Sequence, residues 1–129
     1  MARVFLFFNH TLTEDQHEAL YRELAVTEIV LPPEDLRSLW AFIPPDSPTL
    51  KDILVPVSSW LENQTAAGDF ILIQGDFGAC YLLVRYALQH GLIPIYSTTK
   101  RRAEERHLDD GSVRIEHTFK HVIFRRYDQ

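Results

Sequence analysis

The stretch Phe70 to Ala79, FILIQGDFGA, passes from an unbroken apolar run into glycine and acid just where an amphipathic segment, Cys80 to His90, begins. This is the pattern of a strand entering a helix through a tight turn. Gly75 and Gly78 permit positive φ or a close approach of backbone to ligand, and the first amides of the following helix lack intrahelical partners, so the turn can hold an anion. In an open α/β sheet ligands bind outside the carboxyl ends of parallel strands, which puts Gln74, Asp76 and Phe77 at the ligand edge.

Upstream, Ala2 to Phe8 is apolar and of strand length, with Asn9 and His10 at its carboxyl end. TEDQ from Thr13 to Gln16 reads as a capping box that opens a helix to about Ala25. Thr27 to Leu31 is a second short strand, ended by Pro32 and Pro33. Pro33 suits the start of a short helix, Glu34 to Phe42, and PPDSP is a loop. Leu50 to Glu62 has helical spacing, kinked or divided at Pro56.

Downstream, Gly91 suits the cap of the Ala79 to His90 helix. Leu92 to Tyr96 is a fourth strand running into STTKRR. Lys100 to Leu108 is polar and reads as helical, Asp109 to Gly111 as a turn, and Ser112 to Tyr127 as one or two strands. There His117, Phe119, His121 and Ile123 fall at period two. The β-α-β-α-α-β-α-β order, with right-handed crossovers, predicts a Rossmann-like three-layer sandwich with a mainly parallel central sheet and a C-terminal β-hairpin or arm.

The 129 residues, 46% hydrophobic, fit a single domain, with an α/β core over 1–99 and a basic extension over 100–129. Residues 1–99 hold five Lys/Arg against twelve Asp/Glu, and residues 100–129 hold eight against six. A net charge of −5 argues against a DNA duplex as partner, while an anionic ligand would meet the C-terminal end. No membrane segment or secretory signal is evident, so a cytoplasmic location is expected. The single cysteine, Cys80, excludes an internal disulfide and reads as a packing residue. The six histidines form no HExxH, and GxSxG, the Walker lysine pattern and GxGxxG are absent. Neither a metal nor a cofactor is therefore expected. What remains is a polar site at three strand ends: Asn9 with His10, Gln74 with Asp76, and Ser97, Thr98 and Thr99 with Lys100 and Arg101. Each also has a structural reading: Asn9 as a turn residue, Asp76 as a helix cap, and the hydroxyls as partners of their own loop.

Taken together, NHTLTEDQ, LPPEDLRSLWAFIPP, ILIQGDFGACYLLV, GLIPIYSTTKR and HTFKHVIFRRY resemble a small family of CRISPR-associated proteins. These are stand-alone accessory proteins of type III systems, similar to ring nucleases that act on cyclic oligoadenylate second messengers. The similarity runs from Phe5 to Tyr127. One departure is Asn9, which stands where the family pattern has serine and so removes a hydroxyl there.

The resemblance implies a cytoplasmic antiviral-defence enzyme, a phosphodiesterase that linearises cyclic tetra-adenylate without metal by attack of a ribose 2′-hydroxyl. A homodimer follows from the symmetry of such a ring. In that scheme His10, Asp76 and Lys100 are catalytic. Asn9, Gln74, Gly75, Phe77, Gly78, Ser97, Thr98, Thr99 and Arg101 bind ligand, with Phe77 stacking on adenine. His117, His121, Arg125 and Tyr127 form a second set on an arm that closes over the site. The alternative is a protein of the same fold that sequesters cyclic oligoadenylate without cutting it.

Overall fold

Burial on both faces explains why β1 (Arg3–Phe8) and β3 (Phe70–Gln74) read as continuous apolar runs rather than alternating ones. In the computed structural model, which describes residues 2–128, they lie side by side at the centre of a five-stranded mixed sheet of order β2-β1-β3-β4-β5. The others are β2 (Glu28–Val30), β4 (Ile93–His107) and β5 (Val113–Arg126), with four helices between: α1 (Glu14–Leu24), α2 (Glu34–Ala41), α3 (Val55–Gln64) and α4 (Phe77–Gln89). β1 to β4 are parallel, and β5 runs antiparallel to β4.

Two apolar clusters cover the sheet. Val4, Leu6, Phe70, Leu72 and Ile95 pack with Ala19 and Leu20 of α1, while Phe5, Phe7, Ile71 and Ile73 pack with α2, α3 and α4. Because side chains alternate along a strand, these clusters lie on opposite faces. Trp40 is buried and Trp60 is half-buried. Both meet Phe7 edge to face, with ring centroids 5.5 and 6.1 Å away. The capping box of α1 is present in full, with Gln16 N donating to Thr13 Oγ1 at 3.1 Å and Thr13 N to Gln16 Oε1 at 3.0 Å. Pro56 divides its segment: α3 begins at Val55, with the proline in the first turn.

The helix expected over Lys100 to Leu108 is not there. β4 continues to His107, paired with Val113 to His121, and the hairpin turns through Asp109 to Gly111. A polar sequence with no periodicity has little local preference, and the cross-strand ladder decides it. Gly111 holds a φ of +87°, and Asp110 Oδ1 accepts from Ser112 N at 2.9 Å. The register shifts between Ser97 and Thr99: β5 spends one more residue than β4 there, and Thr98 Oγ1 meets both Ile123 N and Ile123 O at 3.1 Å. This bulge reverses the facing of β5 beyond Phe124 and turns His121, Phe119 and His117 toward the α1 side.

One ion pair ties the start of β1 to the start of β3. Asp69 is buried, its Oδ2 accepting from Arg3 Nη2 and Ala66 N at 2.9 Å each and its Oδ1 from Arg3 N at 3.1 Å. Burial alone would raise its pKa, but the Ala66 and Arg3 amides and the guanidinium outweigh it and hold the carboxyl below the ordinary value. A depressed folded-state pKa contributes stability that is complete above the unfolded value of about 3.9 and is lost as pH falls through the lower folded one. Asp69→Asn is therefore expected to lower the urea midpoint at neutral pH and to flatten its fall in acid. Parallel wild-type and variant curves would contradict this.

Candidate functional site

The chain leaves β1 for β2 on one side, while β3 lies on the other, so the sheet has its topological switch point between the carboxyl ends of β1 and β3. A cleft of about 470 Å³ opens at this point, bounded by His10 and Thr11 after β1, Gln74 at the end of β3, Thr99 on β4, and Phe119 and Lys120 on β5. The three polar strand ends thus converge through His10, Gln74 and Thr99. His10 is exposed, and its ring lies edge to face with Phe8 at 5.7 Å.

Gln74 is fixed from three directions. Its carbonyl accepts from Trp40 Nε1 at 2.9 Å and Asn9 N at 3.2 Å, and its Oε1 accepts from Ser97 N at 2.7 Å. The amide –NH₂ is left as a donor beside the cleft. Gly75 serves this anchor. Neither Gly75 nor Gly78 takes positive φ, but a Cβ on Gly75 would lie 2.9 Å from Trp40 Nε1 and one on Gly78 3.3 Å from Leu50 Cδ1. The glycine turn is thus a packing requirement. Gly75→Ala is expected to cost about 1–3 kcal/mol by displacing the rigid indole, measured as a lowered denaturant midpoint. An unchanged midpoint would show that Trp40 moves freely.

Beside the cleft runs a directional hydrogen-bond chain. Gln16 Nε2 donates to Ser97 Oγ at 3.2 Å, Ser97 Oγ lies 2.6 Å from His121 Nδ1, and His121 Nε2 lies 2.9 Å from Glu23 Oε2. Glu23 Oε1 also accepts from Phe124 N at 2.8 Å. An ionised Glu23 selects the His121 tautomer protonated at Nε2, so Ser97 donates to Nδ1 and every link is satisfied. The composition is that of a serine-histidine-glutamate triad, but Ser97 is 6% exposed and the His121 side chain 3%, so no substrate reaches the hydroxyl. The chain is a clamp that fixes the root of the β4–β5 hairpin to α1.

Other expected site residues lie elsewhere. Asp76 Oδ2 caps α4 by accepting from Ala79 N at 3.0 Å. With Gly78 it borders a different hollow, beside Pro44 and Leu50, and its charge opposes an anion at the helix terminus. Lys100 shares a face with Lys120 and Arg102, on the hairpin side away from Thr99. Lys120 borders the cleft as well as the hollow on that opposite face. Arg101 pairs in register with Phe119, and its Nε meets His117 Nδ1 at 3.3 Å on the exposed arm. Thr98 secures the bulge.

Phe77, 95% exposed, borders an aromatic hollow with Tyr81, Tyr96 and Tyr127 on the other side of Gln74. Arg125 lies 5.5 Å over the Tyr96 ring, with Nη1 2.9 Å from its hydroxyl. The Tyr127 hydroxyl donates to Ile73 O at 2.6 Å, and burial pushes its pKa up to about 12. Cys80, at the floor of the same hollow, is pushed up to about 11 by burial and stays a thiol at neutral pH. Among the described residues no three His, Cys, Asp or Glu side chains group as metal ligands. Lys120, Phe119, Glu23, Tyr81 and Tyr96 are the residues that sequence reasoning missed. For Lys120 the only signal was proximity in sequence to His121, and for Phe119 it was the period-two pattern shared with His117 and His121.

Residues 2–125 match the Uncharacterized protein MJ1673 family. The chain belongs to this family. It is 43% identical over 128 residues to Uncharacterized protein MJ1673 of Methanocaldococcus jannaschii, spanning 99% of this chain and 98% of that protein. No solved structure matches the chain.

Proposed function

We propose that the chain is a ring nuclease that binds cyclic oligoadenylate at the β1/β3 switch-point cleft and opens the ring, ending a type III CRISPR signal. The observation that carries this reading is the convergence of His10, Gln74, Thr99 and Lys120 on one cleft at the ligand edge of the sheet. The two core clusters on opposite faces further support treating the α/β fold as Rossmann-like and three-layered.

The reaction uses groups of the chain and the ligand alone. A ribose 2′-oxygen bonds to the adjacent phosphorus as the bond from phosphorus to the 5′-oxygen breaks, leaving a 2′,3′-cyclic phosphate and a 5′-hydroxyl. His10 takes the 2′-hydroxyl proton as the general base. Solvent supplies the proton to the departing 5′-oxygen. Lys120, at the border of the cleft, adds positive potential near the phosphoryl oxygens, and Gln74 and Thr99 hold the ribose and phosphate in line. Tyr81 and Tyr96 join Phe77 as stacking surfaces for adenine beyond Gln74.

Incubating the protein with cyclic tetra-adenylate in excess EDTA and resolving products by chromatography and mass spectrometry tests the proposal. Linear products ending in 2′,3′-cyclic phosphate are expected. An intact ring that co-elutes with the protein would make it a sequestering protein, and an intact ring that does not bind would overturn the reading.

A further inference from the structure

Beyond Ser97 the hairpin leaves the body of the sheet, and its two faces differ. Thr99/His121, Arg101/Phe119, Ala103/His117, Glu105/Ile115 and His107/Val113 are cross-strand pairs on the face continuous with the cleft. On this face Phe119, Ile115 and Val113 are 67%, 62% and 52% exposed. An isolated two-stranded hairpin is marginally stable in water, and an apolar stripe along one face of it is the mark of a contact surface. The opposite face carries five Lys/Arg against two Glu and would repel its own copy, whereas the apolar face carries one of each, Arg101 and Glu105, two residues to either side of Ala103.

We infer that this face joins a second copy of the chain across a two-fold axis at the level of Ala103 and His117. Charge selects the arrangement: an axis across the strands sets Arg101 against Glu105 of the second copy, whereas one along the strands sets Arg101 against Phe119 and Glu105 against Ile115 of the second copy and leaves both charges without an opposite partner. The axis across the strands also places Phe119 against Ile115 of the second copy, and Thr99 against His107 of the second copy. At ~3.3 Å per residue the paired face is on the order of 30 Å long, so the tip of one hairpin reaches the root of the other. Because Thr99 and Phe119 border the cleft, each cleft gains His107 from the second copy, and the site is complete only in the dimer. The interface stands on the hairpin alone, while the role of His107 rests on the ring-opening reading of the cleft.

Sedimentation velocity at micromolar concentration separates the two. The wild-type chain is expected at twice its 15.0 kDa mass. Ile115→Arg is expected at the monomer mass with unchanged circular dichroism, and Arg114→Glu, on the basic face, as a dimer. Glu105→Arg should weaken the dimer, and the Arg101→Glu/Glu105→Arg pair should restore it. A monomeric wild type, or a dimeric Ile115→Arg, overturns the interface whether or not any ring is cut. For the shared site, His10→Ala and His107→Ala are each expected to be inactive, and mixing them after subunit exchange should restore about a quarter of wild-type turnover, because half of the dimers then hold one intact site. Full activity of His107→Ala, or no restoration on mixing, overturns the contribution of His107.

Discussion

His10→Ala is expected to lower the rate of cyclic tetra-adenylate opening by ~10²–10⁴-fold, the usual worth of a positioned general base, while binding changes by no more than a few-fold. The reasoning is positional. Of the two histidines at the cleft, His121 has both ring nitrogens engaged, by Ser97 at 2.6 Å and Glu23 at 2.9 Å. His10 is exposed and free to meet a ribose hydroxyl. A single-turnover measurement under saturating protein separates chemistry from binding. Cleavage by His10→Ala at the wild-type rate would place proton transfer elsewhere, and a loss confined to affinity would make His10 a binding group.

Glu23→Ala is expected to destabilise the fold by about 2–3 kcal/mol and to release the root of the hairpin. Its carboxylate serves two elements at once, His121 Nε2 through one oxygen and Phe124 N through the other. Alanine leaves a nearly buried imidazole and a backbone amide without partners, which costs more than the loss of one exposed hydrogen bond. The unfolding midpoint reads the first effect, and hydrogen exchange at Phe119 to Phe124 reads the second. Glu23→Gln keeps an acceptor for Phe124 and should lose less. Equal midpoints for wild type and Glu23→Ala would mean that the clamp does not hold the hairpin.

The central strands and their connecting helices were legible in the sequence because their signals are local. FILIQ and VFLFF are apolar beyond what one-sided burial requires, TEDQ writes its own cap, and Pro56 and Gly91 mark helix ends at the positions the structure uses. The convergence of three strand ends followed from parallel topology. What was not legible depends on distant partners. Lys100 to His107 is a strand only because β5 pairs with it, and His121 faces α1 only because a bulge adds a residue to β5. Its carboxylate partner lies 98 residues away, with no mark in the sequence at either position. The same bulge sets Lys120 on the face of Lys100, opposite Thr99, so that it borders the cleft only from the edge of β5. Asp76 had a structural reading beside the functional one, and capping is what the structure shows; Gly75, read for positive φ or ligand approach, instead makes room for Trp40.

The most direct test of the cleft itself is a calorimetric titration of wild-type protein and of Lys120→Glu with cyclic tetra-adenylate, on ice and at short times so that binding precedes turnover. Saturable binding by the wild type, weakened by ~10-fold or more when the cleft lysine becomes an acid, is the predicted result. Equal affinity in the two proteins would contradict the assignment of the site, and absence of binding to either would contradict the proposed ligand.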